Sequence, residues 1–311
     1  MHLRRQSLVG RFIPLALVAV MVCGCSSGSG RSLLALEDEK IEFRAALAQK
    51  IGVSPLEVKQ ALDTTPEQQE RYAASVVLHA KRKIGTSRDM AMQRYLQEMT
   101  RSLAVAAGAD PQLYKIVLLS SQRINAYTPG AGAILLNEGL LQIAQNEAQV
   151  AAVIAHEIAH VLMRHPQRQK QIRLASKAGS RMMDSLTEQP DDNAVIGFFR
   201  LSGNVALNGM IRQQELMADS MGIDIMVKAG YDPREMAKIL RTLRFATPQR
   251  DRLTNVVYGN HPLTIDREAA VLKKIDLYYQ AVSGIDSSQQ FGKLLRPYRV
   301  KRLRRFAKLE R

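Results

Sequence analysis

The sequence is nearly devoid of thiols: its 311 residues include two cysteines, Cys23 and Cys25, separated by Gly24. That scarcity excludes a disulfide-stapled scaffold and a zinc site assembled from several thiolates. Long apolar runs are missing too. A helix needs about 20 apolar residues to cross a bilayer, and the N-terminal stretch from Phe12 to Val22 falls short of that. Acidic residues are few, 29 against 44 lysines and arginines, for a net charge of +15. Such an excess suits nucleic acid or an anionic lipid surface. Hydrophobic residues, at 46%, are plentiful enough for a packed globule.

What is present begins with an address. Arg4, Arg5 and Arg11 around the start of the apolar stretch form the charged and hydrophobic regions of a secretory signal. Val22-Cys23-Gly24-Cys25-Ser26 resembles a bacterial lipobox, with Gly24 favouring cleavage before Cys25 and Val22 disfavouring cleavage before Cys23. Residues 1–24 are expected to be a lipoprotein signal peptide and Cys25 the diacylated first residue of a chain without other thiols; two or more acyl chains anchor stably where one does not. Ser26, in place of an aspartate, resembles the context that sorts lipoproteins to the outer membrane, so the expected site of action is that membrane's periplasmic face. Export removes nucleic acid as a partner. An ordinary secreted protein, cleaved nearby, is the alternative.

The chemistry lies at His156-Glu157-Ile158-Ala159-His160, inside the apolar run from Ala148 to Met163 that predicts a helix. Residues four apart share one helix face, so the imidazoles of His156 and His160 can converge on one metal ion, with Glu157 beside it as general base. A hydrolytic zinc needs a third protein ligand and an open position. A third histidine six residues after the second is excluded, because Pro166 stands there and Met163 occupies the accompanying glycine position. His165 is nine residues from His156, which at about 100° each places it on the opposite side of the helix, as a capping or surface residue. The remaining option is Glu215-Leu216-Met217-Ala218-Asp219, where Glu215 supplies the third ligand, Asp219 receives the outer N–H of a ligating imidazole, and small Ala218 permits close helix approach. One Zn2+ per chain is expected, held by His156, His160 and Glu215.

These motifs, with His261-Pro262 and Arg267 further on and Asn125-Ala126-Tyr127-Thr128-Pro129-Gly130 ahead, resemble the HtpX-like, BepA-like group of zinc metallopeptidases, related to the CAAX prenyl proteases. The resemblance spans about Tyr114 to Leu272. It implies a gluzincin-type fold and endopeptidase activity on unfolded or misassembled polypeptides. It also implies a role for His261, either steadying the oxyanion or filling the open metal position as an inhibitory fourth ligand. The chain differs from HtpX-like members in lacking membrane-spanning runs, and from BepA-like members in lacking a helical-pair array after His261. It is expected to be a minimal, lipid-anchored version of the group. A non-proteolytic, metal-containing assembly factor or chaperone for outer-membrane proteins is the alternative; Glu157 argues against it, since a structural zinc needs no base. A helical scaffold without metal is the third reading.

The expected fold class is α+β, mainly helical: a zincin-like metallopeptidase with a small β-sheet beside the metal helix. A tether at 25–32 precedes an N-terminal helical region at 33–110, a metallopeptidase core at 111–280 and a basic C-terminal tail at 281–311. Helices are predicted over Leu33–Lys50, Leu56–Leu62, Pro66–Lys83 and Arg88–Ala107, two of them opened by capping boxes at Ser54 and Thr65. Strands are predicted at Lys115–Leu119, Ile124–Tyr127 and Ala133–Leu136, the last two flanking a Pro129–Gly132 turn. Asn146 with Gln149 caps the metal helix, Gly230 ends the Glu215 helix, and Pro233 starts the next. Ser185 to Asn208 reads as irregular, a surface loop or mobile lid. From Lys293 to Arg311 nine lysines and arginines face one acid, Glu310, suiting either a solvated end or a segment lying on anionic lipid.

Overall fold

A computed structural model describes residues 65–169, 193–246, 261 and 265–309. The chain divides into two compact units. The elements below belong to the one formed by Thr64–Lys170 and Gly197–Arg311, apart from the first residues of helix α5. The signal and lipobox with Cys25, the tether, the helices expected before residue 63 and the 185–192 part of the irregular stretch lie outside the described residues.

Helix α1, Pro66–Ile84, starts where predicted. Thr65 accepts from the Gln68 N–H, and the Gln68 side chain returns to the Thr65 N–H. Helix α2, Met90–Ala106, buries Met92, Leu96, Met99 and Leu103, one stripe at helical spacing. Three short strands follow: β1 Lys115–Leu119, β2 Ala126–Gly130 and β3 Ala133–Asn137. Their order is β1-β3-β2, with β3 parallel to β1 and antiparallel to β2. The β2 strand begins and ends later than its sequence predicts. It takes in Pro129 and Gly130 because it is an edge, where a residue without an N–H is tolerated at the register shift between Tyr127 and Gly130. The turn beyond it runs through positive φ at Gly130, Ala131 and Gly132, and a Cβ on Gly132 would lie 2.1 Å from the Leu113 carbonyl oxygen. Only glycine fits there.

From β3 the chain passes through a short helix α3, Glu138–Ile143, into α4, Glu147–Leu162, whose residues are buried on every side from Glu147 to Ala152 and from Ile154 to His160. An all-round apolar helix must be enclosed, and α2, β2 and α6 pack on α4. Its N-terminus is capped as predicted: Asn146 accepts from the Gln149 N–H while Gln149 accepts from the Gln145 N–H. Helix α5, Asn193–Lys228, brings a second chain segment against α4 at its small residues. A Cβ on Gly222 would sit 3.3 Å from the His156 backbone nitrogen and 2.9 Å from the Met236 methyl. Gly230, at φ +85°, turns the chain into α6, Arg234–Ala246; α7, Ile265–Tyr278, packs against α6.

Two expectations are corrected. Residues 193–208 are not irregular; they are part of α5, whose helix absorbs Gly197, Gly203 and Asn204 in its interior. The start of the basic stretch near the C-terminus is packed rather than solvated. Gln289–Leu309 forms helix α8, and Phe291, Leu295 and Tyr298, at i, i+4 and i+7, are buried against α2 and α3. Lys293, Arg296 and Arg299 stand exposed around them, so the apolar stripe decides the packing here despite the net charge. Among the described residues no helix is long and apolar enough to cross a membrane.

Candidate metal centre

His156 and His160 follow one another by one turn on the C-terminal half of α4, and both are buried. Their Nε2 atoms lie 2.9 Å apart. Glu215, fully buried on α5, sets Oε1 3.3 Å from the His160 Nε2 and Oε2 3.4 Å from the His156 Nε2. His261 completes the group: its Nδ1 is 2.9 Å from Glu215 Oε1 and 3.3 Å from the His156 Nε2. One ligand atom from each of these four residues lies within 4.8 Å of all the others.

This donor set fits a zinc ion. Three ring nitrogens and a carboxylate facing one another at 2.9–3.4 Å have more lone pairs than protons unless imidazoles charge. Tetrahedral ligands with bonds of about 2.0–2.1 Å stand about 3.3 Å from each other, close to the spacings found. Glu157 lies beside the group, with Oε1 3.4 Å from the His261 Nε2. Its other oxygen, Oε2, is buried and has no hydrogen-bond partner among the described residues.

Behind the ligands stands a cation. The Arg267 guanidinium on α7 donates from Nε and Nη2 to the two oxygens of Asp219, both at 2.7 Å, and its Nη1 is 2.8 Å from Glu215 Oε2. Asp219 Oδ1 in turn lies 2.8 Å from the outer nitrogen of His156, Nδ1, though the approach is too bent for an aligned hydrogen bond. Burial would raise the carboxyl of Asp219, yet Arg267 and then His156 hold it below the usual aspartate range. Glu215 is held well below the usual range by His261 and Arg267 against the same burial. Burial also works to depress His156, but the Asp219 and Glu215 carboxylates outweigh it and lift the imidazole to about 9. His160 goes the other way, to about 3, from burial and the neighbouring His156.

The structure thus brings Glu157, Asp219, Glu215, His156, His160 and His261 into one site, while Cys25 lies outside the described residues. Sequence reasoning assigned no role to Arg267. The available signal was that three acids expected in a buried cluster, Glu157, Glu215 and Asp219, require a cation among them. His165 is a correction. It is fully buried, not a surface residue, and its Nδ1 lies 2.8 Å from the His160 Nδ1. The helical phase that placed it opposite ends at Leu162, and Arg164, at φ +54°, bends the chain back.

Beside these residues a small cleft opens among the described residues, walled by Ile124, Val153, Met236, Ile239, Leu240 and Leu243. Asn125 and Ala126, at the start of edge strand β2, also reach it.

The sequence matches peptidase family M48 over residues 90–275. It is 27% identical over 215 residues to the β-barrel assembly-enhancing protease of Escherichia coli K12, covering 65% of this chain and 42% of that protein. To the metalloprotease LoiP of the same organism it is 22% identical over 258 residues, 80% of this chain and 90% of that one. To the mitochondrial metalloendopeptidase OMA1 of Saccharomyces cerevisiae it is 27% identical over 148 residues, 46% and 41% of the two chains. The chain spans less than half the length of the assembly-enhancing proteases it matches.

Proposed function

The chain belongs to peptidase family M48, a metallopeptidase by that membership, and from this premise we propose that it is a zinc-dependent endopeptidase of the bacterial cell envelope that cuts unfolded or misassembled polypeptides. The observation that carries the reading is the convergence of four potential ligand atoms, three on buried residues and one on half-buried His261, beside a carboxylate oxygen of Glu157 without a partner among the described residues.

His156, His160 and Glu215 hold one zinc, which when bound polarises the scissile carbonyl and lowers the pKa of water toward about 7. Glu157 takes up the proton released in attack and delivers it to the leaving amine; its free Oε2 is the acceptor. Arg267 locks Asp219 and Glu215 in place, so the ligand carboxylate arrives already oriented. Asp219 orients His156 through its outer nitrogen. His261 is read as a fourth ligand, a reading supported by its Nδ1 lying 2.9 Å from Glu215 Oε1 and 3.3 Å from His156 Nε2. That location favours the inhibitory role over the oxyanion role, so the resting enzyme is nearly inert and His261→Ala raises its turnover.

An extended substrate segment could add as a strand at β2, the outer strand of the sheet, held through main-chain hydrogen bonds that ignore sequence. The apolar cleft next to it accepts side chains that a folded protein keeps inside. Anchoring through an acylated Cys25 would hold this activity at the periplasmic face of the outer membrane.

The test is Glu157→Gln in purified protein freed of its signal, made beside wild type and in the His261→Ala background, where there is turnover to lose. Zinc content and melting temperature are expected to stay at wild-type values while cleavage of an unfolded substrate falls by about 10²- to 10⁴-fold. Undiminished cleavage would remove Glu157 from the chemistry, and wild-type protein without stoichiometric zinc would remove the metal.

A further inference from the structure

His165 is absorbed by none of the roles above, yet it is among the most enclosed polar side chains described. Its ring meets that of His160 edge to face, with centroids 4.8 Å apart and planes at 71°, and the two Nδ1 atoms face each other at 2.8 Å. Two ring nitrogens at that distance require that one donate and the other accept. If His160 accepted, its proton would be on Nε2, the atom that faces His156 Nε2 at 2.9 Å and Glu215 Oε1 at 3.3 Å. A protonated Nε2 has no lone pair for a metal.

We propose that His165 is a positioning residue that fixes His160 as the Nδ1–H tautomer, accepting that hydrogen bond on its own Nδ1 and leaving the His160 Nε2 lone pair free for zinc. The inference rests on the reading of His160 as a ligand. His165 then carries its proton on Nε2, an atom that is buried and without a partner among the described residues. An orphaned buried donor is costly. So is the left-handed backbone of Arg164, a residue with a Cβ at φ +54°. The fold bears both costs at one spot, and their joint effect is to deliver a neutral acceptor to His160. The two helix ligands are consequently oriented by different means: His156 by a carboxylate tied to Arg267, His160 by an imidazole with no charge.

Substitutions at 165 separate acceptor geometry from mere filling of space. Asparagine places its carbonyl oxygen where Nδ1 stands; glutamine, equally polar, places it near the Nε2 position; phenylalanine fills the space with no acceptor. Zinc affinity, measured by competition with a chromophoric chelator, is expected within threefold of wild type for His165→Asn. For His165→Gln and His165→Phe it should be about 10- to 100-fold weaker, with the melting temperatures of the metal-free proteins not following that order. In 15N-histidine-labelled, zinc-loaded wild type, the Nδ1 of His160 should carry a proton hydrogen-bonded to an unprotonated Nδ1 of His165. The proposal is overturned if His165→Gln binds zinc as tightly as wild type, if His165→Asn weakens as much as His165→Gln, or if His160 Nδ1 is unprotonated. His160→Ala is the control: zinc retained there discards the ligand reading itself, whereas zinc lost there and kept in His165→Gln discards only this inference.

Discussion

The two ends of helix α4 each carry a buried polar cluster, and they are built on opposite rules. At the N-terminal end the Glu147 carboxylate accepts from the Tyr95 hydroxyl at 2.8 Å, the Tyr231 hydroxyl at 3.0 Å and the Ser288 N–H at 2.6 Å. Two residues on, Gln149 donates to Glu235 at 2.8 Å. Every contact named there has a donor opposite an acceptor, and the negative charge sits at the positive end of the helix. At the C-terminal end acceptors face acceptors: imidazole nitrogen against imidazole nitrogen and against carboxylate. The first cluster is complete within the protein and ties α2, the α5–α6 connection and the start of α8 to the metal helix. The second is short of donors unless an imidazole charges or a cation enters, and its four potential ligand atoms could hold one. A buried polar cluster that satisfies itself is architecture, and one that cannot is a site.

The contrast predicts that the two ends fail differently. Glu215→Ala removes a proposed ligand and the carboxylate that Arg267 Nη1 faces, so zinc content should fall from one per chain to a small fraction, and the stabilisation that excess zinc confers on wild type should disappear. Stoichiometric zinc in that variant would break the comparison at its functional end. Glu147→Ala should behave in the opposite way. It orphans the Tyr231 hydroxyl and the Ser288 N–H and leaves the Tyr95 hydroxyl only the Ser288 Oγ, at a cost of about 3–5 kcal/mol to the metal-free protein in denaturant titration, while the folded fraction keeps its zinc. Tyr231→Phe, which removes one donor and leaves the other two, should cost about 1 kcal/mol with zinc affinity unchanged; a large drop in affinity would show that the ends are coupled through the helix.

The smallest effect is expected at Glu235. Burial would raise its carboxyl, but Lys238, Asn146 and Gln149 hold it below the ordinary 4.5. A carboxyl depressed in the folded state stabilises above its unfolded value and loses that contribution as pH falls through the folded one. Wild type should therefore exceed Glu235→Gln in stability by up to about 1 kcal/mol near neutrality, and the margin should shrink below pH 4.5. A margin that persists unchanged in acid would mean that the charge of Glu235 is not what holds the helix start.

Much of this was legible in the sequence, because short-range signals decide it. The spacing of His156 and His160, the recurrence of Glu215 and Asp219 four apart, and the Thr65 and Asn146 caps are all local geometry. The sheet strands followed from β-rich runs between turn residues, apart from the extension of β2 through Pro129. What was misread depended on where a pattern stops. His165 was placed by extending helical phase past Leu162, and nothing local announced that Arg164 would take a left-handed turn. The α8 segment was judged by its charge, although Phe291, Leu295 and Tyr298 already stood at helical spacing. Arg267 is far in sequence from the acids it serves, and only the packing of α7 revealed the partnership.

The near-contact of Gly222 with the backbone at His156 gives the metal centre a fixed gauge. Glu215 and Gly222 are seven residues, two helical turns, apart on α5, so the depth to which a bare hydrogen lets that helix sink sets how far the carboxylate reaches toward the imidazoles. A single methyl there would ask the helices to part by a few tenths of an ångström, comparable to the difference in bond length between one divalent ion and the next. Gly222 thus bears on the spacing of the candidate metal site without contributing an atom to it.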